Sequence, residues 1–349
     1  LLAIIELDLA ATPEAGRMLT WGVALAGALQ LLLVWVAAMR AGFAPCFTLP
    51  RLTPGVKRLL VLGVPGVLAA GATQINIVIG TIIASFQDGA VSFLYYADRI
   101  YQLPLGIVGI AIGIVLLPDL SRRLAAGDGP GALAAQNRAC ELSMLLTLPA
   151  AAALIARPAA IISSLFEHAR FDASDTAATA PALAAFAAGL PAFVLTKIFQ
   201  PGFFAREDTK TPMWFAIAGV VVNVAGSLAL FPYLGHVAIA IATSAAGWIT
   251  AGLLIATLIR RGAYSADAQL TRRLAAICAS SILLGLALWA GSQMLAVHLT
   301  ADQPLLVRIL ALSALIAAGL ALFAGLAEIT GAARMREIAT TLRRRTPPG

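Results

Sequence analysis

Residues 236–259 read HVAIAIATSAAGWITAGLLIATLI, a stretch without Asp, Glu, Lys or Arg that is followed directly by Arg260 and Arg261. About 20 apolar residues in helical conformation are enough to cross the ~30 Å hydrocarbon core of a bilayer. The stretch therefore predicts a membrane-spanning helix that ends at a basic boundary.

The same pattern recurs along the chain. Nine spans are predicted: 19–39, 58–85, 100–120, 141–166, 181–205, 212–232, 236–259, 273–297 and 304–327. Hydrophobic residues make up 60% of the 349 residues and charged residues only 12%. A chain this apolar cannot hide all of its hydrophobic surface inside itself, so lipid must cover much of it. We expect an all-α integral membrane protein, built as a polytopic helical bundle.

The composition also argues against several classes of function. A soluble enzyme, a nucleic-acid-binding module and a disordered scaffold all need more charge than this chain carries. The sequence contains no H-E-x-x-H zinc motif, no Gly-rich phosphate loop and no G-x-S-x-G. Cys46, Cys140 and Cys278 share no close spacing, so they indicate neither a disulfide framework nor a metal cluster. We therefore expect no enzyme activity and no cofactor.

The net charge of +7 is explained by the membrane topology. Lys and Arg concentrate in alternate loops, and by the positive-inside rule these loops and the C-terminus are cytoplasmic while residue 1 is outside. No nucleic-acid partner is needed to explain the charge. The basic residues of these loops are Arg40, Arg51, Lys57 and Arg58; Arg122, Arg123 and Arg138; Arg206 and Lys210; Arg260, Arg261, Arg272 and Arg273; and Arg334, Arg336, Arg343, Arg344 and Arg345.

An acid–base pair, Asp98 and Arg99, stands where the third predicted span begins, within YYADRIYQLP at 95–104. One interpretation is an aromatic belt with an interfacial ion pair, which contributes little free energy. The other is an arginine that points into a central cavity, because a guanidinium stays charged and can bind phosphate oxygens through two N–H groups. Composition alone favours the first interpretation.

Few other polar groups lie within the predicted spans. Lys197 is about two turns from the cytoplasmic end of its span, which predicts a side chain that snorkels to the interface. Glu141, at a span end, is expected to be solvated. Asn223 and Thr243 lie in adjacent spans, with Ser227 one turn beyond Asn223, and predict an interhelical hydrogen bond. A cation site would need several converging oxygens, normally including a carboxylate.

Four longer motifs follow one another along the chain. They are QIN at 74–76 with TIIASF at 81–86, YYADRIYQLPLG at 95–106, IVLLPDLS at 114–121, and KIFQPGFFAREDTKTP at 197–212. In this order they resemble the MurJ/MviN family of lipid II flippases, within the superfamily that also holds multidrug and polysaccharide exporters. The resemblance is dense over about residues 60–250.

The resemblance implies an inner-membrane protein with fourteen helices, arranged as two six-helix lobes around a central cavity and two extra C-terminal helices. The chain then corresponds to a C-terminal fragment that holds nine of the fourteen helices. Residues 1–56 would end the first lobe, and residues 57–262 would form the second lobe. Residues 263–349 would form the extra helix pair and a basic cytoplasmic tail.

The resemblance further implies that the protein moves lipid II, the undecaprenyl-pyrophosphate-linked precursor of peptidoglycan, from the inner to the outer leaflet by alternating access. Lipid II, membrane lipid and the cell-wall synthesis machinery are the partners it suggests. An alternative is a related exporter of another polyprenyl-linked saccharide or small molecule. A third hypothesis is a non-transporting scaffold for cell-wall assembly. The energy source stays open between sodium, protons and the membrane potential.

Two sets of residues match functional positions of the family. Arg99 matches an arginine that lines the cavity in the family and is needed for activity, so we expect it to contact the pyrophosphate, with Asp98 as its suggested partner. Asn223 and Thr243 match two positions of a family cation site, but Gly80 and Ser227 stand where the acidic ligands would be. A sodium site of the family's design is therefore not expected in this chain.

Overall fold

The computed structural model describes residues 13–42, 53–167, 171–294 and 305–331. Every regular element in these ranges is helical, which confirms the predicted all-α class. The basic tail and Cys46 lie outside the described residues. The helices are α1 (Pro13–Arg40), α2 (Pro54–Ala84), α3 (Ala90–Ala125), α4 (Gly129–Ala156), α5 (Pro158–Phe166), α6 (Ala173–Phe204), α7 (Lys210–Leu234), α8 (Val237–Arg260), α9 (Ala268–Met294) and α10 (Leu305–Ile329).

Seven helices of the described ranges are long and apolar enough to cross a membrane, namely α3, α4, α6, α7, α8, α9 and the Thr20–Arg40 part of α1. The predicted spans 58–85 and 304–327 fall on α2 and α10. There the described residues contain the shorter apolar stretches Gln74–Ala84 and Ser313–Ile329. The total of nine spans stays a prediction.

Two of the predicted boundaries are wrong. The span 141–166 is broken at Arg157, which has non-helical backbone angles (φ −142°, ψ 56°), and Pro158 then opens α5. A proline ring clashes with the turn before it and lacks an N–H, but its fixed φ suits the first residue of a new helix. The helix of the third span begins at Ala90, so Asp98 and Arg99 lie two turns inside α3 rather than at its start.

The chain divides into two compact units, residues 1–57 and 58–349. In the first unit, α1 exposes large apolar side chains along its length, among them Trp21 and Leu33. In the second unit, α6 is the central helix and packs against α3, α4 and α8. Buried side chains of these four helices form two adjoining apolar clusters, with Phe199 and Phe203 of α6 in one and Leu183 and Leu190 in the other.

The helices α6 and α8 approach closely at a glycine. Ser244 Oγ of α8 donates to the carbonyl oxygen of Ala185 at 2.6 Å. A Cβ added at Gly189 would lie 2.4 Å from that hydroxyl oxygen and 2.8 Å from the Ser244 backbone. Small residues at such a crossing allow van der Waals packing and interhelical hydrogen bonds, which drive helix association in lipid.

A third apolar cluster, which includes Leu284, Leu288 and Phe323, joins the last two described helices, α9 and α10. Helix α10 also packs on α5, and α9 packs on α4. At the end of this interface, Arg273 Nη1 donates to Glu141 Oε1 at 2.7 Å. The two side chains are only 18% and 12% exposed. The expectation that Glu141 is solvated is therefore wrong, because α9 covers it and supplies a cation.

Candidate functional site

A cavity of about 850 Å³ opens between α2, α3, α6, α7 and α8. Most of its wall is apolar, and the polar side chains come from all five helices. Its charged lining residues are Asp98, Arg99 and Lys197, two cations and one anion, so the wall is net cationic. The uncharged polar lining residues are Asn76, Thr81, Tyr95, Tyr101, Gln102, Thr196, Gln200, Asn223, Thr243 and Thr250.

Arg99 projects from α3 into this cavity with its side chain exposed. Its Cζ atom lies 4.6 Å from the centre of the Tyr95 ring, one helical turn earlier. A cation over an aromatic face is attracted by the ring quadrupole. Other arginines of the second unit do form ion pairs, among them Arg122, Arg123, Arg138, Arg261 and Arg273.

The neighbouring carboxylate of Asp98 has its own partners. Gln102 Nε2 donates to Asp98 Oδ2, and Tyr101 follows Asp98 by three residues. Tyr101 is 9% exposed and stacks on Phe186 of α6, with ring centroids 5.0 Å apart and planes at 20°. Residues adjacent in a helix do not face each other, whereas residues three or four apart do. This geometry directs Asp98 towards Gln102; its suggested pairing with Arg99 stays a prediction.

Lys197 lines the same cavity from α6. Its side chain is exposed, and no hydrogen bond or ion pair from the described part of the chain holds its ammonium group. The interpretation as an interfacial, snorkelling lysine did not anticipate that it would share a cavity with Arg99. The two residues lie on different helices, so only the packing of α3 against α6 brings them to one wall.

The polar residues of α7 and α8 form the predicted interhelical hydrogen bond. Asn223 Nδ2 donates to Thr243 Oγ1 at 2.7 Å, and Thr243 Oγ1 donates to the Ile239 carbonyl at 2.7 Å. Ser227 Oγ, at 3.5 Å, donates weakly to Asn223 Oδ1. Bonds of this kind between membrane helices contribute roughly 0.6–2 kcal/mol.

The residues that match the family's cation site are hydrogen-bonded in this structure, and the expectation that they hold no sodium ion stays a prediction. The oxygens of Asn223, Thr243 and Ser227 are engaged with one another or with backbone. Gly80 carries no ligand atom, and a Cβ built there would meet only Ile239 Cγ2 at 3.6 Å. The described residues contain no group of three or more His, Cys, Asp or Glu placed to hold a metal ion.

A bundle of long apolar helices with a charged cavity in its wall is typical of polytopic membrane transporters. Residues 2–316 match the model of the family described as lipid II flippase MurJ. The chain therefore belongs to the lipid II flippase MurJ family.

Individual relatives agree. A probable lipid II flippase MurJ of Rhizobium meliloti is 48% identical over 94% of this chain and 62% of its own length. One of Rhizobium tropici is 49% identical over 76% and 50%. A lipid II flippase MurJ of Burkholderia cenocepacia is 34% identical over 70% and 49%. The chain thus spans about half to three-fifths of the length of these relatives.

Sequence reasoning singled out Arg99 and Asp98 but missed the side chains that hold them. Tyr95 precedes Arg99 by four residues, and Gln102 follows Asp98 by four. Helical spacing of this kind was a usable signal, because i, i+4 neighbours lie on the same helix face. It was overlooked because the pair was placed at the start of the span, where helical geometry does not apply.

Proposed function

We propose that this chain takes part in moving lipid II from the inner to the outer leaflet of the bacterial inner membrane by alternating access, for peptidoglycan synthesis. The observation that carries the proposal is the exposed Arg99 guanidinium, which lines the 850 Å³ cavity. An anionic head group cannot enter hydrocarbon without a large desolvation cost. A cationic cavity wall lowers that cost along the path.

The pyrophosphate of the polyprenyl-linked precursor is the group that Arg99 would bind. A guanidinium presents N–H donors in a fixed fork that matches phosphate oxygens. Lys197 would add a second, less directional charge from the facing helix α6. Because both side chains are exposed, their ion pairs with the substrate are screened by water, which favours release on the far side.

The charges near the helix ends support the proposed orientation, with the C-terminus cytoplasmic. Three connections rich in basic residues are linked by side-chain contacts. Arg273 and Arg138 both approach Glu141. Arg261 Nη1 donates to Asp208 Oδ2 at 2.6 Å. These contacts gather the basic connections at one end of the second unit, as the positive-inside rule requires.

Depletion and complementation test the proposal. The full-length protein, unmodified or with Arg99→Ala, replaces the lipid II flippase of a bacterium in which that protein can be depleted, and lipid II on the outer leaflet is measured. We expect rescue by the unmodified protein. Arg99→Ala should lower the lipid II exposed on the outer leaflet at least about tenfold, the effect of losing one charge-assisted contact. Arg122→Ala, on the same helix but paired with Asp119, is the matched control and should rescue.

Two outcomes would contradict the proposal. If the unmodified protein inserts correctly but does not rescue, the substrate is that of a related exporter, another polyprenyl-linked saccharide or a small molecule. If Arg99→Ala rescues as well as the unmodified protein, Arg99 does not bind the pyrophosphate.

A further inference from the structure

The two adjacent charges of α3 each have a partner one turn away, in opposite directions along the helix. Arg99 contacts Tyr95, four residues before it. Asp98 accepts from Gln102, four residues after it. Both pairs line the cavity, so the helix presents a guanidinium and a restrained carboxylate side by side.

A free carboxylate beside Arg99 would compete with any phosphate. Carboxylate and phosphate offer a guanidinium the same paired oxygen acceptors. Adjacent helix residues do not face each other, but a carboxylate next to Arg99 still attracts the guanidinium over a few ångströms unless another donor engages it. Whatever holds the Asp98 oxygens therefore determines how much of Arg99 is available to a ligand.

One side chain, Gln102, holds the Asp98 carboxylate and reaches it from the same helix face. Tyr101, three residues after Asp98, packs against Phe186, with ring centroids 5.0 Å apart, and against Phe193, at 5.9 Å. Because both phenylalanines belong to α6, the packing of α3 against α6 fixes the part of α3 that carries Asp98.

The Tyr95 contact complements this restraint. A cation–π contact uses the positive charge of the guanidinium and none of its N–H donors. Arg99 can therefore rest on the Tyr95 ring and keep its donors for a ligand. A carboxylate partner would occupy two of those donors.

We propose that Gln102 is a positioning residue for anion recognition: it engages the Asp98 carboxylate so that the Arg99 guanidinium stays unpaired and able to bind a pyrophosphate. The inference rests on the proposed function, since it assigns Arg99 the same ligand. It adds that Gln102 acts through Asp98 and not by touching the substrate.

Suppression by a second substitution tests this. The purified full-length protein is titrated with undecaprenyl pyrophosphate, and the dissociation constant is measured. Gln102→Leu keeps the size of the side chain but removes the donor, so Asp98 is released to pair with Arg99. We expect affinity to fall about tenfold, as for a charge-assisted contact of ordinary strength. Adding Asp98→Asn removes the competing charge and should restore affinity.

A second background tests Gln102→Leu without relying on Asp98→Asn. In an Arg99→Ala protein, Gln102→Leu should have no further effect on affinity, because the released carboxylate then has no guanidinium to occupy.

The inference is wrong if Gln102→Leu binds like the unmodified protein. It is also wrong if the loss persists after Asp98→Asn, because Gln102 would then act by direct contact or through folding. Failure of the unmodified protein to bind the probe would overturn the proposed function and this inference together. The inference alone fails only where the unmodified protein binds.

Discussion

Two acid–arginine clusters lie on α3, and they use their charges in opposite ways. In one, Asp119 accepts from Arg122 Nη2 at 2.6 Å and from Arg123 Nε at 2.9 Å. In the other, Asp98 and Arg99 are adjacent and have separate partners. The residue types and the helix are the same, but the spacing differs. At i+3 and i+4 an arginine faces its acid and is neutralised, whereas at i+1 the two side chains do not face each other and Gln102 engages the acid instead.

The strongest test of this comparison keeps the composition and changes only the spacing. The double variant Arg99→Gln with Gln102→Arg places the arginine four residues after Asp98, as Arg123 stands to Asp119. We expect it to pair with Asp98 and to lose pyrophosphate affinity about thirtyfold, as much as Arg99→Ala. Titration with undecaprenyl pyrophosphate measures the loss.

The single variant Gln102→Arg is the matched control for that exchange. There the new arginine engages Asp98 while Arg99 keeps its place on Tyr95, so binding should be at least as tight as in the unmodified protein. Retention of affinity within about threefold by the exchanged double variant would show that spacing does not decide which arginine is free.

A smaller effect is expected at Lys197, the second cation of the cavity. Lys197→Ala should weaken pyrophosphate binding about fivefold, because a flexible ammonium contributes a point charge without the paired geometry of a guanidinium. The salt dependence of binding should decrease as well, since one fewer counter-charge takes part. Lys210→Ala, an exposed lysine that does not line the cavity, is the control. Equal effects of the two substitutions would show that Lys197 makes no specific contact with the pyrophosphate.

The smallest effect is expected at Asp208, which like Asp119 forms an ion pair with an arginine. Burial raises the pKa of the Asp208 carboxyl, but hydrogen bonds from Arg261 and Thr211 outweigh it and hold that pKa below the usual value. A lowered pKa stabilises the fold above the unfolded-state value of about 4, and this contribution is lost as the pH falls through the folded-state pKa.

Asp208→Asn should therefore lower the free energy of unfolding by less than about 1 kcal/mol near neutral pH, because the pair is partly exposed. Below about pH 4 the difference from the unmodified protein should shrink. Thermal unfolding of the full-length protein in detergent, followed from pH 3 to 7, measures it. A stability difference that grows towards low pH would show that the folded-state pKa of Asp208 is not lowered.

Much of the fold was predictable because it depends on local composition. Apolar runs bounded by charges indicate helices wherever lipid is the solvent, and Asn223 and Thr243 were predicted to bond because adjacent spans must pack. The helix break at Arg157 could also be predicted from the sequence, since Pro158 follows it. It was missed because the apolar run continues through the proline.

The partners of charged residues were harder to predict, for a physical reason. The bond between Glu141 and Arg273 joins residues 132 positions apart and exists only because α9 packs on α4. The shared cavity of Arg99 and Lys197 likewise depends on how α3 meets α6. Hydropathy determines that each helix enters the membrane, but the helix faces that meet depend on small-residue crossings such as Gly189 with Ser244, which a single sequence does not pair.

The bond between Glu141 and Arg273 also limits how this sequence can drift. Loss of Glu141 alone would leave Arg273 unpaired at a largely buried position, close to Arg138, the second arginine that approaches Glu141. Loss of Arg273 is milder, because Arg138 Nη1 already lies 3.7 Å from the Glu141 carboxylate and can take over. Replacing both charges with apolar side chains can be nearly neutral. Evolution is thus free to change the arginine first and the glutamate only afterwards, or both at once.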